Sequence, residues 1–496
     1  MQVKTLDKFT IIYLVIPIFI FLIGWLNPIL AAISCIVLIY VVKQIFNCLL
    51  KRKFEINKYQ LLLLTLIALL WCIFAGIGCF FYQNWDWHVR NAIFRDLINF
   101  SYPVIYDNGA ALVYYFGSFL PGAIVGKLAL FLHATPDQAF KIGNMFTLIY
   151  STIGITLVFL QVLLLTNVKK NHYFLIILLF ILFSGLDVLY KSIGPMNNIH
   201  IENHSPGYQL SSFTTLLFWA YNQTIAPWLI TAFFLRKPFN ISNYGFLGCF
   251  GLFYAPLPFI GLFIYFSLVT TLMFFRTLNT KYFFSFYRKL FNTNNTLAIF
   301  ILLPIFYFYY NSNLAVIENN YLFASHPMQI FGNVLIEVGI YMFLIFKRNI
   351  KNPIYYITIF VLFFCPLISL GRNPDFCMRT TIPATFALFV LVMRYLFHKN
   401  SFILGKFILC CAILLGMVTP CLEFYRGYLY NYINFVEPKI KDEVISFNNK
   451  IRKDCVVEII TPSCVYGDYK NYGAVDLDNQ IFFKYLAKKN KNKGIY

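Results

Sequence analysis

Gln60-Leu61-Leu62-Leu63-Leu64-Thr65-Leu66-Ile67-Ala68-Leu69-Leu70-Trp71-Cys72-Ile73-Phe74-Ala75-Gly76-Ile77-Gly78-Cys79-Phe80-Phe81-Tyr82 runs without a break into Gln83-Asn84-Trp85-Asp86-Trp87-His88-Val89-Arg90-Asn91-Ala92-Ile93-Phe94-Arg95-Asp96-Leu97. The first part carries no charged residue. About twenty apolar residues cross a hydrocarbon core of roughly 30 Å. Backbone in lipid must satisfy its own hydrogen bonds, so such a run is a membrane-spanning helix. The second part sets an Asp, a His, two Arg and a second Asp between positions 86 and 96, directly at the membrane surface.

Runs of the same kind recur at 9–26, 29–50, 110–133, 142–167, 173–190, 213–235, 243–275, 297–311, 330–346, 353–370, 381–398 and 402–420. With 60–82 they predict an all-α polytopic membrane protein of about thirteen transmembrane helices. Composition agrees. Of 496 residues, 59% are apolar or aromatic and 12% charged, about half the charge of a soluble chain. That excludes an ordinary soluble enzyme. The net charge of +20 sits mostly in short loops between apolar runs, which marks a cytoplasmic membrane face and not a nucleic-acid surface. The twelve cysteines have no CxxC spacing and act as small hydrophobes. No P-loop, dinucleotide fingerprint or HExxH occurs, which argues against nucleotide-driven pumping.

Orientation follows the basic loops. Lys51, Arg52 and Lys53; Arg276, Lys281, Arg288 and Lys289; Lys347, Arg348 and Lys351; and Lys399 with Lys406 fall on one face if 243–275 crosses once. That face is cytoplasmic, with the N-terminus inside and the tail outside. Lys169, Lys170, Arg236 and Lys237 break this count. The alternative splits 243–275 at Pro256 and Pro258 into two spans, makes an upstream run re-entrant and puts loop 191–212 outside.

The membrane domain covers 1–420. Residues 421–496 change character, with nine of the twenty acidic residues. They predict a small soluble α/β region outside the membrane: a helix near 437–454, a strand over Val456–Ile460 and a short helix from Asn479. Cys455 and Cys464 either pair in an oxidising compartment or remain thiols.

Eleven acidic residues precede position 421, so any catalytic carboxylate comes from a short list. Residues 86–99 read as an amphipathic helix lying along the interface, with Trp85 and Trp87 as anchors. Asp86 is then either a cap at the helix start or a general base, with His88, Arg90, Arg95 and Asp96 lining the same pocket and arginine suited to phosphate. The second candidate is Gly371-Arg372-Asn373-Pro374-Asp375-Phe376-Cys377-Met378-Arg379-Thr380. Arg372 and Arg379 would clamp a lipid phosphate and Asp375 would orient them; the plainer reading is two arginines snorkelling to ordinary lipid. Third is His200-Ile201-Glu202-Asn203-His204. Its alternate spacing allows metal ligation, a substrate-facing loop with Glu202 and His204, or a solvated turn. Glu337 inside an apolar span is a functional hypothesis by default, or a partner for another helix. Lys127 poses the same choice, and His326 with Glu318 could line an outer pocket.

An early Asp86 in an outer loop, then a juxtamembrane helix, then Asn108-Gly109-Ala110-Ala111-Leu112-Val113-Tyr114-Tyr115-Phe116 through Pro121 and Lys127, then Phe140-Lys141-Ile142-Gly143-Asn144, resembles the GT-C superfamily of membrane glycosyltransferases. The resemblance covers roughly 60–190. The second acid of the family's loop motif is absent here, and two extra spans precede the loop. The resemblance implies a polyprenyl-phosphate sugar as donor, a glycan, lipid or protein hydroxyl as acceptor, Asp86 as the base of an inverting transfer, and a multi-pass protein of the plasma (inner) membrane. It admits a divalent cation, magnesium or manganese, as cofactor. Two other classes stay open. A transporter or flippase of a lipid-linked or anionic substrate requires polar residues along a mid-membrane path. A polysaccharide polymerase or ligase would depend on 372–379 and not on position 86.

Overall fold

The computed structural model describes residues 2–49, 52–84, 86–191, 201–202, 205, 207–318, 322–324, 326–370, 375–436 and 472–489. Helices come first: α1 (Val3–Trp25), α2 (Pro28–Asn47), α3 (Lys58–Phe74), α4 (Asp86–Asn99), α5 (Leu120–Phe131), α6 (Pro136–Thr166), α7 (Tyr173–Ile181) and α8 (Val188–Lys191). Next are α9 (Phe213–Trp219), α10 (Ile225–Arg236), α11 (Tyr244–Tyr254), α12 (Pro256–Thr277), α13 (Phe283–Leu290), α14 (Thr293–Leu297), α15 (Leu303–Asn311) and α16 (Leu314–Glu318). The remainder are α17 (Pro327–Val334), α18 (Ile340–Asn349), α19 (Pro353–Phe364), α20 (Asp375–Thr380), α21 (Ile382–Leu396), α22 (Ile403–Gly416) and α23 (Val418–Val436). Two short antiparallel pairs complete it. Strand β1 (Ala111–Leu112) joins β4 (Gly473–Ala474), and β2 (Leu322–Phe323) joins β3 (Ile368–Ser369).

Local signals place the helix starts. Asn57 and Gln60 form a reciprocal capping box on α3, and Thr135 and Gln138 form another on α6, each satisfying backbone N–H groups that a helix start leaves open. Asn27 caps α2, accepting from Leu30 N at 3.0 Å. Among the described residues seven helices are long and apolar enough to cross a bilayer, including α1, α2, α6 and α12, and five shorter apolar ones accompany them. The molecule is therefore an all-α, multi-pass membrane protein.

The 243–275 run is two helices. Ala255 is extended (φ −161°, ψ 92°), because proline disfavours helical geometry in the residue before it and offers no N–H itself. Helices α11 and α12 then pack on each other. That break reorganises the charge. Lys170 pairs with Glu55 at 2.7 Å, and Arg52 donates to Asn167 Oδ1 at 3.3 Å. Arg236 pairs with Asp7 at 2.5 Å, one helical turn into α1, and Arg394 Nε donates to the Leu165 carbonyl at 2.9 Å. So the basic residues that broke the single-crossing count lie at the same end of the bundle as Arg52 and Lys53.

The tail returns to the opposite end. Lys488 N donates to Trp25 O at 2.8 Å and Asn27 N to Leu486 O at 2.9 Å, across the α1–α2 turn. Phe482 is fully buried against Phe21 and Tyr309. Helix α23 runs past the 420/421 boundary to Val436. The expected helix at 437–454, the strand over Val456–Ile460 and both Cys455 and Cys464 lie outside the described residues. The expected helix from Asn479 is a short π turn, Phe482–Leu486.

Candidate functional site

Helix α4 has the predicted bounds, but it is not a surface helix. Ten of its fourteen residues are buried. Trp87 stacks on Tyr221 at 5.7 Å instead of anchoring at the interface, and Trp85 lies outside the described residues. The reason is that protein partners take up the polar side chains. Asn84 Nδ2 donates to Phe218 O at 2.9 Å, Asn91 Nδ2 to Gln83 Oε1 at 2.8 Å, and Gln83 Nε2 to Gly76 O at 2.8 Å. Lys127 Nζ donates to Ile98 O at 3.1 Å and to the Phe100 carbonyl, which satisfies the open C-terminal carbonyls of α4 and opposes the negative end of its dipole.

These anchors sort the predicted residues. Asp86 opens α4 and pairs with Arg90 at 3.1 Å; its side chain is 41% exposed, against 6% for Arg90. The carboxylate can be reached from outside while the guanidinium is held. Arg90 also donates to the Trp219 carbonyl and lies over the Trp87 ring at 5.4 Å. His88 is exposed on α4. Arg95 turns the other way, to Asp137 on α6 at 2.6 Å. Asp96 is fully buried and accepts from the Tyr106 hydroxyl at 2.9 Å, tying down the loop after α4.

The second predicted loop arrives at the same place. Helix α20 packs on α12 at Gly261, where a Cβ would lie 1.9 Å from Thr380 O. That approach sets Arg379. Its Nη2 pairs with Asp375 at 3.1 Å and its Nη1 donates to the Tyr115 hydroxyl at 2.9 Å. The Tyr115 ring lies 3.8 Å from Tyr114, and Tyr114 lies 4.7 Å from Tyr472. Tyr472 arrives on the strand pair β1–β4, with its carbonyl accepting from Val113 N at 3.0 Å. Burial, and then the nearby Tyr115, push the Tyr472 hydroxyl up; Asp86, Arg90 and Arg379 all act on it. Positions 86, 90, 375 and 379, nearly three hundred residues apart in the chain, therefore surround one tyrosine cluster. Arg372 lies outside the described residues.

The cluster holds spare valence. Arg90 Nη1, Arg379 Nε, Trp87 Nε1, Asn84 Oδ1 and Asn222 Oδ1 are buried without a hydrogen-bond partner. Asn222 is placed there by donating to Tyr115 O at 3.2 Å. A buried polar atom left unpaired costs about 1–3 kcal/mol, so five together mark a place built to receive polar groups. Two half-used guanidinium groups beside a half-buried carboxylate suit an anion next to a hydroxyl. Sequence reasoning missed Tyr115, Asn222 and Tyr472. It also missed the Glu423–Arg426 ion pair of α23, whose Glu423 accepts from Trp219 Nε1 at 3.0 Å. Tyr115 stood inside the quoted 108–116 segment, whereas nothing local marked Tyr472.

Three further acids are buried elsewhere. Glu202 is buried and accepts from Thr215 Oγ1 at 2.6 Å, Ser212 N at 2.9 Å and Gln209 Nε2 at 3.0 Å; it holds Ser212, the N-cap of α9. Asp187 and Glu337 are both fully buried; Asp187 Oδ2 accepts from Ser184 Oγ and Thr419 Oγ1, each at 3.1 Å, and Leu186 N donates to Glu337 O at 3.2 Å. His200 and His204 lie outside the described residues, and His326 is the exposed residue before α17. Among the described residues no three His, Cys, Asp or Glu side chains converge as ligands of a metal, and Asp86 and Asp375 are each engaged by an arginine.

No protein-family model, curated protein or solved structure matches the chain.

Proposed function

We propose that the protein is an integral-membrane glycosyltransferase that moves a sugar from a polyprenyl-phosphate donor to an acceptor hydroxyl at the outer membrane face. The observation that carries this reading is half-buried Asp86 paired with Arg90, with Arg379 acting on the same Tyr472 and each arginine keeping one nitrogen without a hydrogen bond. The resemblance to the GT-C superfamily supports it. Asp86 takes the proton of the acceptor hydroxyl as its oxygen attacks the anomeric carbon. The bond from that carbon to the phosphate oxygen breaks on the opposite face, so the configuration inverts. Arg90 and Arg379 hold the departing phosphate, where charge develops. In this reading the basic end is cytoplasmic, with the N-terminus inside and the tail outside. About thirteen spans result: α1, α2, α3, α6, α7, α10, α11, α12, α14–α15, α17–α18, α19, α21 and α22–α23. The membrane is a plasma (inner) membrane.

The test is mass spectrometry of membrane lipids and surface glycans from cells lacking the protein, complemented with the native chain or with Asp86→Asn. The expected outcome is that the null and Asp86→Asn both accumulate one polyprenyl-phosphate sugar and lose one glycan. Full rescue by Asp86→Asn overturns the mechanism. One observation favours a second reading, transport: buried Asp187 and Glu337 are the kind of intramembrane acids a pathway uses. In that case Glu337→Gln abolishes function and Asp86→Asn does not.

A further inference from the structure

A cleft of about 60 Å³ lies at the basic end of the bundle, between α1, the end of α2, the end of α10 and the start of α11. Asp7, Ile11 and Leu14 line it along one stripe of α1, so it runs about 10 Å along the helix axis. Beyond Asp7 its walls are apolar side chains of all four helices. The rim is polar. Lys237 and Cys48 are exposed there, and Arg236, Asn240 and Asn243 are half-buried. Arg236 gives both terminal nitrogens to Asp7, each at 2.5 Å, and keeps Nε buried without a hydrogen-bond partner. The Asp7 charge is thereby balanced inside the bundle, and Lys237 leaves the rim positive. Helix α13 fixes the height of the membrane surface beside this rim. It packs on the Ile241–Asn243 turn. Asn292 and Asn295 hold that turn by donating to Ser242 O at 2.9 Å and Ile241 O at 2.8 Å. Of α13 only Phe286 is buried, while Phe284 stands 84% exposed among Lys281, Arg288 and Lys289. A short basic helix with exposed aromatic rings lies in the headgroup layer, and so does the rim next to it.

We propose that this cleft binds the headgroup phosphate of an anionic glycerophospholipid from the leaflet at the basic end. A water occupies about 30 Å³ in the liquid, so the space suits one phosphate-sized group while the acyl chains stay in the bilayer. Lys237 supplies the charge, Arg236 Nε a spare N–H, and Asn240 with Asn243 amide donors. The rim favours an anionic over a zwitterionic lipid. Both carry the phosphate, but the ammonium of a zwitterionic headgroup would meet Lys237 and Arg276, which lies over the neighbouring Phe239 ring at 5.9 Å. Apolar walls beneath the rim disfavour a hydrated free ion, and basic pockets between spanning helices are where acidic headgroups bind. A phosphate held there touches α1, α2, α10 and α11 together, so the bound lipid stabilises the folded chain by mass action. This separates the cleft from the scattered basic loops, which attract acidic lipid without a shaped site.

The test is native mass spectrometry of the full chain in nonionic detergent, with phosphatidylglycerol or phosphatidylcholine of the same acyl chains added. The expected result is a retained phosphatidylglycerol adduct and a raised melting temperature, both weaker with phosphatidylcholine. Lys237→Ala lowers the phosphatidylglycerol affinity roughly five-fold, the share of one lysine at a lipid surface. Cys48→Phe fills the exposed side of the cleft without changing charge and lowers it as well. Lys351→Ala, at an exposed basic residue of the same end between α18 and α19, leaves it unchanged. Equal binding of phosphatidylcholine overturns the proposal. An equal loss in Lys351→Ala, or none in Cys48→Phe, also overturns it, because binding is then diffuse surface charge. Displacement of the lipid by an equal concentration of glycerol 3-phosphate overturns the lipid assignment in favour of a soluble phosphate. Lys237 and Cys48 are both exposed, so neither variant removes core packing, and the comparison of the two lipids on the native chain needs no variant. No readout involves sugar transfer, so this site and the glycosyltransferase reading stand or fall separately.

Discussion

At the residue scale, the site depends on arginine as a planar donor and not only as a charge. Arg379 reaches Asp375 with one nitrogen and Tyr115 with another, and leaves Nε over. Lysine supplies one compact ammonium and cannot reproduce that fork. Arg379→Lys is therefore expected to lower turnover by roughly 10²-fold or more, as loss of a transition-state donor does, with little change in melting temperature. Turnover equal to the native chain's in a reconstituted donor–acceptor assay would sink this role. Asp96 and Arg95 teach the opposite lesson. Both looked like site residues by proximity to Asp86, yet both turn to structural partners, Tyr106 and Asp137. On a helix, residues three or four apart share a face. Asp86 and Arg90 satisfy that spacing; Asp86, Arg95 and Asp96 do not. This part of the site was legible in the spacing alone.

At the element scale, the decisive contact is α12 against α20. Gly261 has no Cβ, and one added there would lie 1.9 Å from the Thr380 carbonyl, which is backbone and cannot swing away. Gly261→Ala must push α20 outward, and Arg379 with it. Overpacking of this kind costs about 1–3 kcal/mol, so a lower melting temperature and a larger proportional loss of activity are expected together. Gly332→Ala is the control: a Cβ there meets nothing within 4 Å, and replacing glycine inside a helix favours folding by roughly 0.5–1 kcal/mol. If both variants melt alike, close α12–α20 packing does not set the site. The apolar run of 243–275 concealed this contact. Hydropathy reports how much apolar chain is present, while Pro256 decides where the helix stops and so which residue faces α20.

At the scale of the whole molecule, charge separates by end. Asp7, Glu55, Arg52, Lys170, Arg236 and Arg394 interlock at one end, while the tyrosine cluster and the tail occupy the other. With the twelve native cysteines replaced, a cysteine at exposed Lys170 is expected to react with an impermeant thiol reagent only after lysis, and one at exposed Asp478 in intact cells. The reverse pattern would invert the proposed topology. The same measurement bears on Tyr472, because a tail on the basic side could not reach Asp86.

The sequence by itself determined that the chain is helical and lies in membrane, since uninterrupted apolar length and unsatisfied backbone in lipid leave no other solution. It also exposed 83–99 and 371–380 as the dense polar segments in a chain poor in charge. Only the tertiary structure decided that α4 and α20 come to one place, that α4 is buried and that residue 472 belongs beside them. The physical reason is range. Hydropathy and capping act within a few residues along the chain, whereas a site is assembled by glycine contacts, carbonyl acceptors and strand pairs that join positions hundreds of residues apart and leave no periodic trace in either partner.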